Sequence, residues 1–286
     1  MCHNLMLRFF GPYLIAIAIA IALLLCPGRA ACVAAPSDGL EPGYRYMYNL
    51  DFGAAHQVFR AWQASHPEDP LGFVSDAACY LFSEFDRLHV LQSELFTNDR
   101  RFEERSKLPP DPAAKAAFNE SLAKADQMVA QILAHSPQDR NALFSQILAS
   151  GLRGDYAALI EKRNLASLGY MKNSRRIAEQ LVAIDPSCYD AYLAVGVENY
   201  LLGLNSVPVR WILRLSGAQT DKAEGVKHLR MTAEKGRYLG PFARLLLAVA
   251  ALRDNDRASA RALLAGLSQA FPRNHLYSEE LAKISP

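Results

Sequence analysis

Histidine and cysteine are the side chains of this chain best suited to catalysis or metal binding, and their spacing favours neither. Beyond the N-terminal segment, the histidines have no carboxylate or cysteine at metal-ligand spacing. They are His56, His66, His89, His135, His228 and His275. No phosphate loop, dinucleotide-binding glycine motif, zinc-protease motif or serine-nucleophile motif occurs. We therefore expect no enzyme activity, cofactor or metal, and we interpret His66 and His135 as residues that favour the negative end of a helix before a turn proline.

Four stretches share a pattern of one small residue, two apolar residues and a proline at spacings of four, three and five. They are Ala55, Phe59, Trp62 and Pro67; Ala125, Val129, Ile132 and Pro137; Ser174, Ala178, Leu181 and Pro186; and Ala260, Leu264, Leu267 and Pro272. The first two spacings place three residues on one helical face, and the proline marks where that helix has ended. A small residue in the first position allows a neighbouring helix to approach closely. The pattern predicts repeated helical hairpins.

This pattern resembles the second helix of a tetratricopeptide (TPR) unit, and the first helices fit in part. Phe73, Ala77 and Tyr80 occupy three positions of the first-helix signature, as do Tyr192, Val195 and Gly196 in a later unit. The resemblance implies an all-α, TPR-like α-solenoid over residues 44–286. Uneven spacing between the units predicts helical inserts in the central units, over about 155–172 and about 205–223. A charged, proline-rich stretch at 98–112 is predicted as a surface loop.

The second insert has a further, local resemblance. Residues 211–215, Gly217, residues 221–225 and Leu229 are similar to a stretch of eukaryotic TPR-39-type proteins, a group that includes a mitochondrial inclusion-clearance protein. What the wider superfamily implies is a scaffold for protein–protein interaction.

The N-terminal segment differs in character from the rest of the chain. Residues 1–35 combine Arg8, an uncharged apolar run over 9–28 and an alanine-rich end, which predicts a secretory signal peptide or a retained membrane anchor. Lipid attachment at Cys32 is a third alternative, although Arg29 stands where that motif needs an apolar residue. Residues 36–43 are predicted as a linker. We expect an exported protein that is periplasmic, or anchored to a membrane and facing the periplasm.

Charge argues against nucleic acid as a partner. Without the two arginines of residues 1–35, the chain has 29 basic and 29 acidic residues. It therefore lacks the net positive charge that attracts the phosphates of nucleic acids. The two cysteines outside the N-terminal segment, Cys79 and Cys188, are predicted to be reduced, because units of a solenoid contact only their neighbours. We interpret the aromatic residues near the start, such as Tyr44 and Tyr48, as packing residues rather than a carbohydrate site.

The TPR resemblance also implies which residues face the concave surface. Those positions of the first helices are apolar in all units but one, and they form the candidate binding groove: Val74, Ala78, Phe144, Leu148, Leu193, Val197 and Arg244. The second insert offers an apolar cover, with Trp211, Ile212 and Leu215 as candidates. The inserts could instead be additional core, or a membrane-surface element. We predict a non-catalytic scaffold that binds unidentified proteins of the cell envelope; the alternative is a carrier or sensor of a small apolar ligand or lipid.

Overall fold

The computed structural model describes residues 39–90, 109–203 and 221–284, and helices joined by short turns form all the regular secondary structure of this part of the chain. This confirms the predicted all-α class. The helices are α1 (Glu41–Met47), α2 (Phe52–Ser65), α3 (Pro70–Arg87), α4 (Pro112–His135), α5 (Arg140–Asp155), α6 (Asn164–Ile184), α7 (Tyr192–Gly203), α8 (Lys222–Lys235), α9 (Gly240–Arg253), α10 (Arg257–Ala270) and α11 (His275–Ile284). A π-helical turn, Tyr156–Ile160, continues α5.

Aspartate side chains define where many of these helices begin. In six of them an aspartate precedes the first helical residue and accepts a hydrogen bond from a backbone N–H of the first turn. These N-caps are Asp51, Asp69, Asp111, Asp139, Asp221 and Asp256. Pro70 and Pro112 occupy the first position of α3 and α4, where a missing N–H costs nothing.

Helices that follow one another in the chain pack against one another. The most extensive contacts join α7 to α8, α5 to α6, α3 to α4 and α9 to α10, so the helices associate as successive pairs. The first helices of two successive pairs, α3 and α5, also contact each other. The small residue of each repeat, Ala55, Ala125, Ser174 or Ala260, is buried at a helix contact. The helices carrying the repeat end two residues before their prolines, as predicted.

The pair formed by α7 and α8 contains a fifth copy of the repeat, which has glycine in the small position and lacks the proline. Gly225 stands where the other copies have alanine or serine, followed at the same spacing by Leu229 and Thr232, both buried. A Cβ atom added to Gly225 would lie 2.4 Å from the backbone nitrogen of Tyr200 in α7. The two helices therefore cross at a distance that only glycine permits.

We expect Gly225→Ala to lower the free energy of unfolding by about 1–3 kcal/mol, because α7 must move to admit the methyl group. Chemical denaturation of the purified chain measures the effect. The matched control is Gly266→Ala in α10, where the added Cβ meets no atom within 4 Å. There alanine should stabilise the helix by about 0.5–1 kcal/mol. Equal effects at the two sites would contradict the close crossing.

The first helix contacts the last helical pair, which corrects the expectation that units touch only their neighbours. Tyr48 donates its hydroxyl hydrogen to the carbonyl oxygen of Tyr238, 190 residues further along the chain. The Tyr44 ring lies 4.8 Å from that of Tyr238, and the Tyr48 ring lies 5.3 Å from that of Phe271. An ion pair between Glu41 and Arg237 adds to this contact. The helical array therefore closes on itself, and the early tyrosines Tyr44 and Tyr48 are packing residues.

Two predicted boundaries change. Residues 41–43 belong to α1 rather than to an exposed linker, because Leu40, Gly43 and Tyr44 are buried in the closing contact. The first predicted insert, 155–172, is not a separate element: it consists of the π-helical turn and the lengthened start of α6. The predicted loop at 98–112 and the second insert lie almost wholly outside the described residues, as does the N-terminal segment 1–35.

Within the described ranges, no helix has the length and apolarity needed to cross a membrane. The apolar run at 9–28 falls outside those ranges, so its role as a signal peptide or anchor remains a prediction. Cys79 is buried, Cys188 is half-buried, and both are free thiols.

Candidate functional site

A cavity lies among the first helices of the pairs. Its volume is about 70 Å³, several times the roughly 10–15 Å³ that one water molecule needs. The wall is supplied by α1, α3, α5, α6, α7, the residue Asp190 before α7 and the start of α9. Residues that are far apart in sequence therefore meet only because the array closes.

Five of the seven predicted groove residues line this cavity: Val74, Ala78, Leu148, Leu193 and Val197. Among them, Leu148 alone is more than 7 % exposed. The structure thus brings the predicted positions together around one cavity whose walls are mostly buried. Two further lining residues, Met171 and Ser174, come from α6, the second helix of its pair.

The other two predicted groove residues lie elsewhere. Phe144 is buried behind the cavity wall, with its ring 6.2 Å from that of Tyr238. Arg244 is exposed, and its Nε donates a hydrogen bond of 3.0 Å to the carbonyl oxygen of Ala233. In its place, Leu239 and Phe242 reach the cavity from the start of α9. The predicted groove positions were counted from the proline in the turn before each helix. The turn before α9 has no such proline, so the count placed Arg244 at the groove incorrectly. The candidate cover, Trp211, Ile212 and Leu215, lies outside the described residues.

Asp190 fixes the turn that closes this side of the cavity. Its carboxylate accepts hydrogen bonds from the backbone N–H groups of Arg237, Tyr238 and Leu239, the shortest at 2.8 Å. Burial raises the pKa of this carboxyl, and the three N–H donors act against that increase. The turn is thereby held where Tyr238 and Leu239 meet α1 and the cavity.

Most polar groups of the wall are already paired. The Tyr44 hydroxyl bonds to Ser75 at 2.9 Å, and the Ser174 hydroxyl donates to the carbonyl oxygen of Ile147 at 2.9 Å. The described part of the wall carries no lysine, arginine or histidine, and its surface is mostly apolar.

Asp155 is the lining residue whose polar side-chain atoms are not paired. It ends α5, is 0 % exposed, and neither carboxylate oxygen has a hydrogen-bond partner in the part of the chain that the structure describes. Burial raises the pKa of this carboxyl well above its usual range. Its position follows from helical spacing, since Leu148, Leu152 and Asp155 are separated by four and three residues and share one face. That spacing is a signal in the sequence, but it was missed because Asp155 was assigned to the start of an insert.

Other buried carboxylates of the described chain are paired. Glu198 accepts a hydrogen bond of 2.8 Å from Arg175, and Glu84 accepts hydrogen bonds from Arg87 and from the backbone N–H of Asp111. Asp190 has its three N–H donors. An unpaired buried carboxyl is costly, so Asp155 needs a different explanation from these residues.

A second polar arrangement joins α2 to α3. His56 Nδ1 lies 2.5 Å from the carboxylate of Asp76, and Arg60 donates to the Tyr80 hydroxyl at 2.6 Å. No local pattern in the sequence indicates the His56–Asp76 pair, because its partners are 20 residues apart on different helices. The side chains of this arrangement bond to one another between α2 and α3. Among the described residues, no group of histidine, cysteine, aspartate and glutamate could hold a metal ion.

The predicted histidine roles at helix ends can be compared with the contacts. His135, the last residue of α4, places Nδ1 3.0 Å from the carbonyl oxygen of Gln131 in the last turn. His66 follows α2 and stacks on Trp62 with ring centres 3.7 Å apart. Both histidines therefore lie at the ends of their helices, and their effect on the negative end of each helix remains a prediction.

Comparison with known proteins identifies no relative: no family model, curated protein or solved structure matches this chain. Function must therefore be inferred from the geometry and charge of the cavity.

Proposed function

We propose that this chain is a TPR-like α-solenoid that binds a small apolar ligand in its central cavity. The observation that supports the proposal is the cavity itself, which is lined by apolar side chains from six helices and contains five of the residues predicted to face a ligand. A protein interior is ordinarily close-packed. An apolar cavity bordered by so many elements is therefore a candidate binding site.

The volume limits the size of the ligand. At about 70 Å³, the cavity is about half the size of an engineered apolar cavity of ~150 Å³ that binds benzene. A short alkyl group suits this space better than a long acyl chain. The ligand class that we propose is thus a small aliphatic compound.

This proposal favours the alternative function over the predicted scaffold. A partner helix or peptide would need Val74, Leu193 and Val197 to be accessible, yet they are at most 7 % exposed. Binding of envelope proteins, export to the periplasm and membrane association through residues 9–28 remain predictions. Native mass spectrometry of the chain recovered from its source would show which kind of molecule accompanies it.

The test of the proposed site uses n-butyl fluoride, a neutral probe followed by fluorine NMR. We expect the full-length protein to broaden and shift the probe resonance. Ala78→Leu and Ala194→Leu, tested separately, each add three carbon atoms to the cavity wall and should weaken binding by at least about tenfold, equal to 1.4 kcal/mol.

The matched control is Ala262→Leu, the same substitution on the exposed face of α10. It should leave the probe signal unchanged, and circular dichroism should show all three variants folded. Absence of broadening in the unsubstituted protein would overturn the proposal. Equal broadening in all variants would also overturn it, because the probe would then bind outside the cavity.

A further inference from the structure

Two ion pairs lie on either side of the ring contacts where α1 meets the last helical pair, α9 and α10. Glu41, the first residue of α1, pairs with Arg237 in the turn before α9. Asp51, between α1 and α2, lies 3.4 Å from Arg273 in the turn after α10. All four side chains are between 33 and 59 % exposed, so dissolved salt screens the attraction within each pair.

We call this contact the seam. It consists of Glu41, Tyr44, Tyr48 and Asp51 on one side and of Arg237, Tyr238, Phe271 and Arg273 on the other. The extensive packing of α1 is against α2, and among the described helices no comparable packing joins α1 to α9 or α10. Closure of the array at the seam therefore depends on a few side chains.

Two buried amide side chains beside the seam lower the cost of separating it. Asn49, directly after Tyr48, has no donor for its Oδ1, and Asn274, directly after Arg273, has no acceptor for its Nδ2 among the described residues. Both residues are at most 8 % exposed. Separation of the seam lets water bond to these two atoms, which offsets part of the cost of exposing the tyrosine rings.

The cavity wall crosses the seam. Tyr44 lines the cavity from α1, whereas Leu239 and Phe242 line it from the turn before α9 and from α9 itself. A ligand in the cavity therefore contacts both sides of the seam, and it loses part of its contacts when the two sides separate. A molecule that binds the closed array better than the open one shifts the equilibrium towards closure.

We propose that α1 is a salt-sensitive latch of the helical array. Rising ionic strength favours separation of the seam because it screens the two ion pairs, and a ligand in the cavity favours closure. Salt and ligand therefore act on one equilibrium in opposite directions. The effect of the ligand rests on the proposed function, whereas the effect of salt concerns the protein without ligand.

The first measurement is hydrogen–deuterium exchange of the full-length protein at about 0.05 M and about 0.5 M sodium chloride, concentrations that differ strongly in screening. Mass spectrometry follows the peptides that cover α1. We expect the α1 amides to exchange about two- to tenfold faster at the higher concentration, the range that two exposed ion pairs supply. Peptides of α4, which has no residue in the seam, serve as the internal reference.

Combining Glu41→Gln with Asp51→Asn removes both ion pairs and keeps the helix cap at position 51, since asparagine caps as well as aspartate. In this variant the α1 amides should exchange about two- to tenfold faster already at low salt, with no further increase at high salt. The matched control is Asp126→Asn, which breaks an exposed ion pair with Arg153 between α4 and α5. It should leave the exchange of α1 unchanged.

The second measurement adds n-butyl fluoride at about ten times the dissociation constant found by fluorine NMR. The α1 amides should then exchange about tenfold more slowly, because the ligand must leave before the seam separates. Ala78→Leu narrows the cavity from α3 and lies outside the seam. At the same ligand concentration this variant should reduce the protection to about twofold or less.

The outcomes separate the latch from the proposed function. If α1 exchanges equally fast at both salt concentrations, or if the doubly substituted variant keeps the salt dependence, the latch is wrong whether or not a ligand binds. If n-butyl fluoride binds without slowing the exchange of α1, closure is not linked to the cavity. If it does not bind, the proposed function fails, and the salt dependence alone decides the latch.

Discussion

Asp190→Ala is expected to lower the free energy of unfolding by on the order of 3–5 kcal/mol. The substitution leaves the backbone N–H groups of Arg237, Tyr238 and Leu239 without their acceptor, and two of them are buried. Each buried donor left unpaired costs about 1–3 kcal/mol. Since this turn carries the contact with α1, the loss includes part of the closure. Guanidinium denaturation at neutral pH measures the change.

Asp139→Ala is the matched control for this prediction. Asp139 also accepts a hydrogen bond from a backbone N–H, that of Ala142, but as the N-cap of α5 it satisfies one donor at a partly exposed position. Its removal should cost about 1 kcal/mol. If the two substitutions destabilised the protein equally, Asp190 would be an ordinary helix cap and not the residue that holds the closing turn.

Asp155→Leu is expected to raise the free energy of unfolding of the ligand-free protein by about 1–3 kcal/mol at pH 7. The reason is that folding buries a carboxyl with no hydrogen-bond partner among the described residues, and leucine of similar size has no such cost. Burial raises the pKa of Asp155 above its ordinary value of 3.8. Above that value the unfolded chain is ionised at this residue while the folded chain still holds the proton.

The contribution of the Asp155 carboxyl to the free energy of unfolding is therefore most favourable at low pH. It becomes less favourable as the pH rises towards the pKa that this carboxyl has in the folded state. The slope reaches at most about 1.36 kcal/mol per pH unit. We expect the advantage of Asp155→Leu over the unsubstituted protein to be larger at about pH 7 than at about pH 5. Urea denaturation of both proteins at the two pH values measures it. A constant difference, or a loss of stability on substitution, would show that Asp155 is satisfied in the folded state.

Asp155→Asn separates the titration of the carboxyl from the cost of burying an unpaired polar group. It removes the titration but retains an unpaired polar group, so its pH dependence should match that of Asp155→Leu while its gain in stability is smaller.

The sequence predicted local features well. The spacing of Ala125, Val129 and Ile132 identified a helix and its buried face, and Pro137 located its end, because both depend on residues within a few turns of one another. Glycine in place of alanine at position 225 concealed the fifth copy of the repeat. The turn before α9, which has no proline, led to the wrong placement of Arg244.

The site was predicted in part. Val74, Ala78, Leu148, Leu193 and Val197 were chosen from the sequence, and they do meet at the cavity. Asp155 could have been found from its helical spacing to Leu148, but its isolation from any partner could not. Absence of a partner depends on every element that surrounds the side chain.

The sequence by itself determined the helical class, the repeated pairs and the apolar face of each first helix, because these follow from periodicity and from short-range preferences for caps and turns. Only the tertiary structure decided that the array closes. That closure depends on Tyr44 and Tyr48 meeting Tyr238, at separations near 190 residues, where no local pattern applies. Closure brings the predicted groove positions together around one largely apolar pocket, and burial leaves the carboxyl of Asp155 without a hydrogen-bond partner among the described residues.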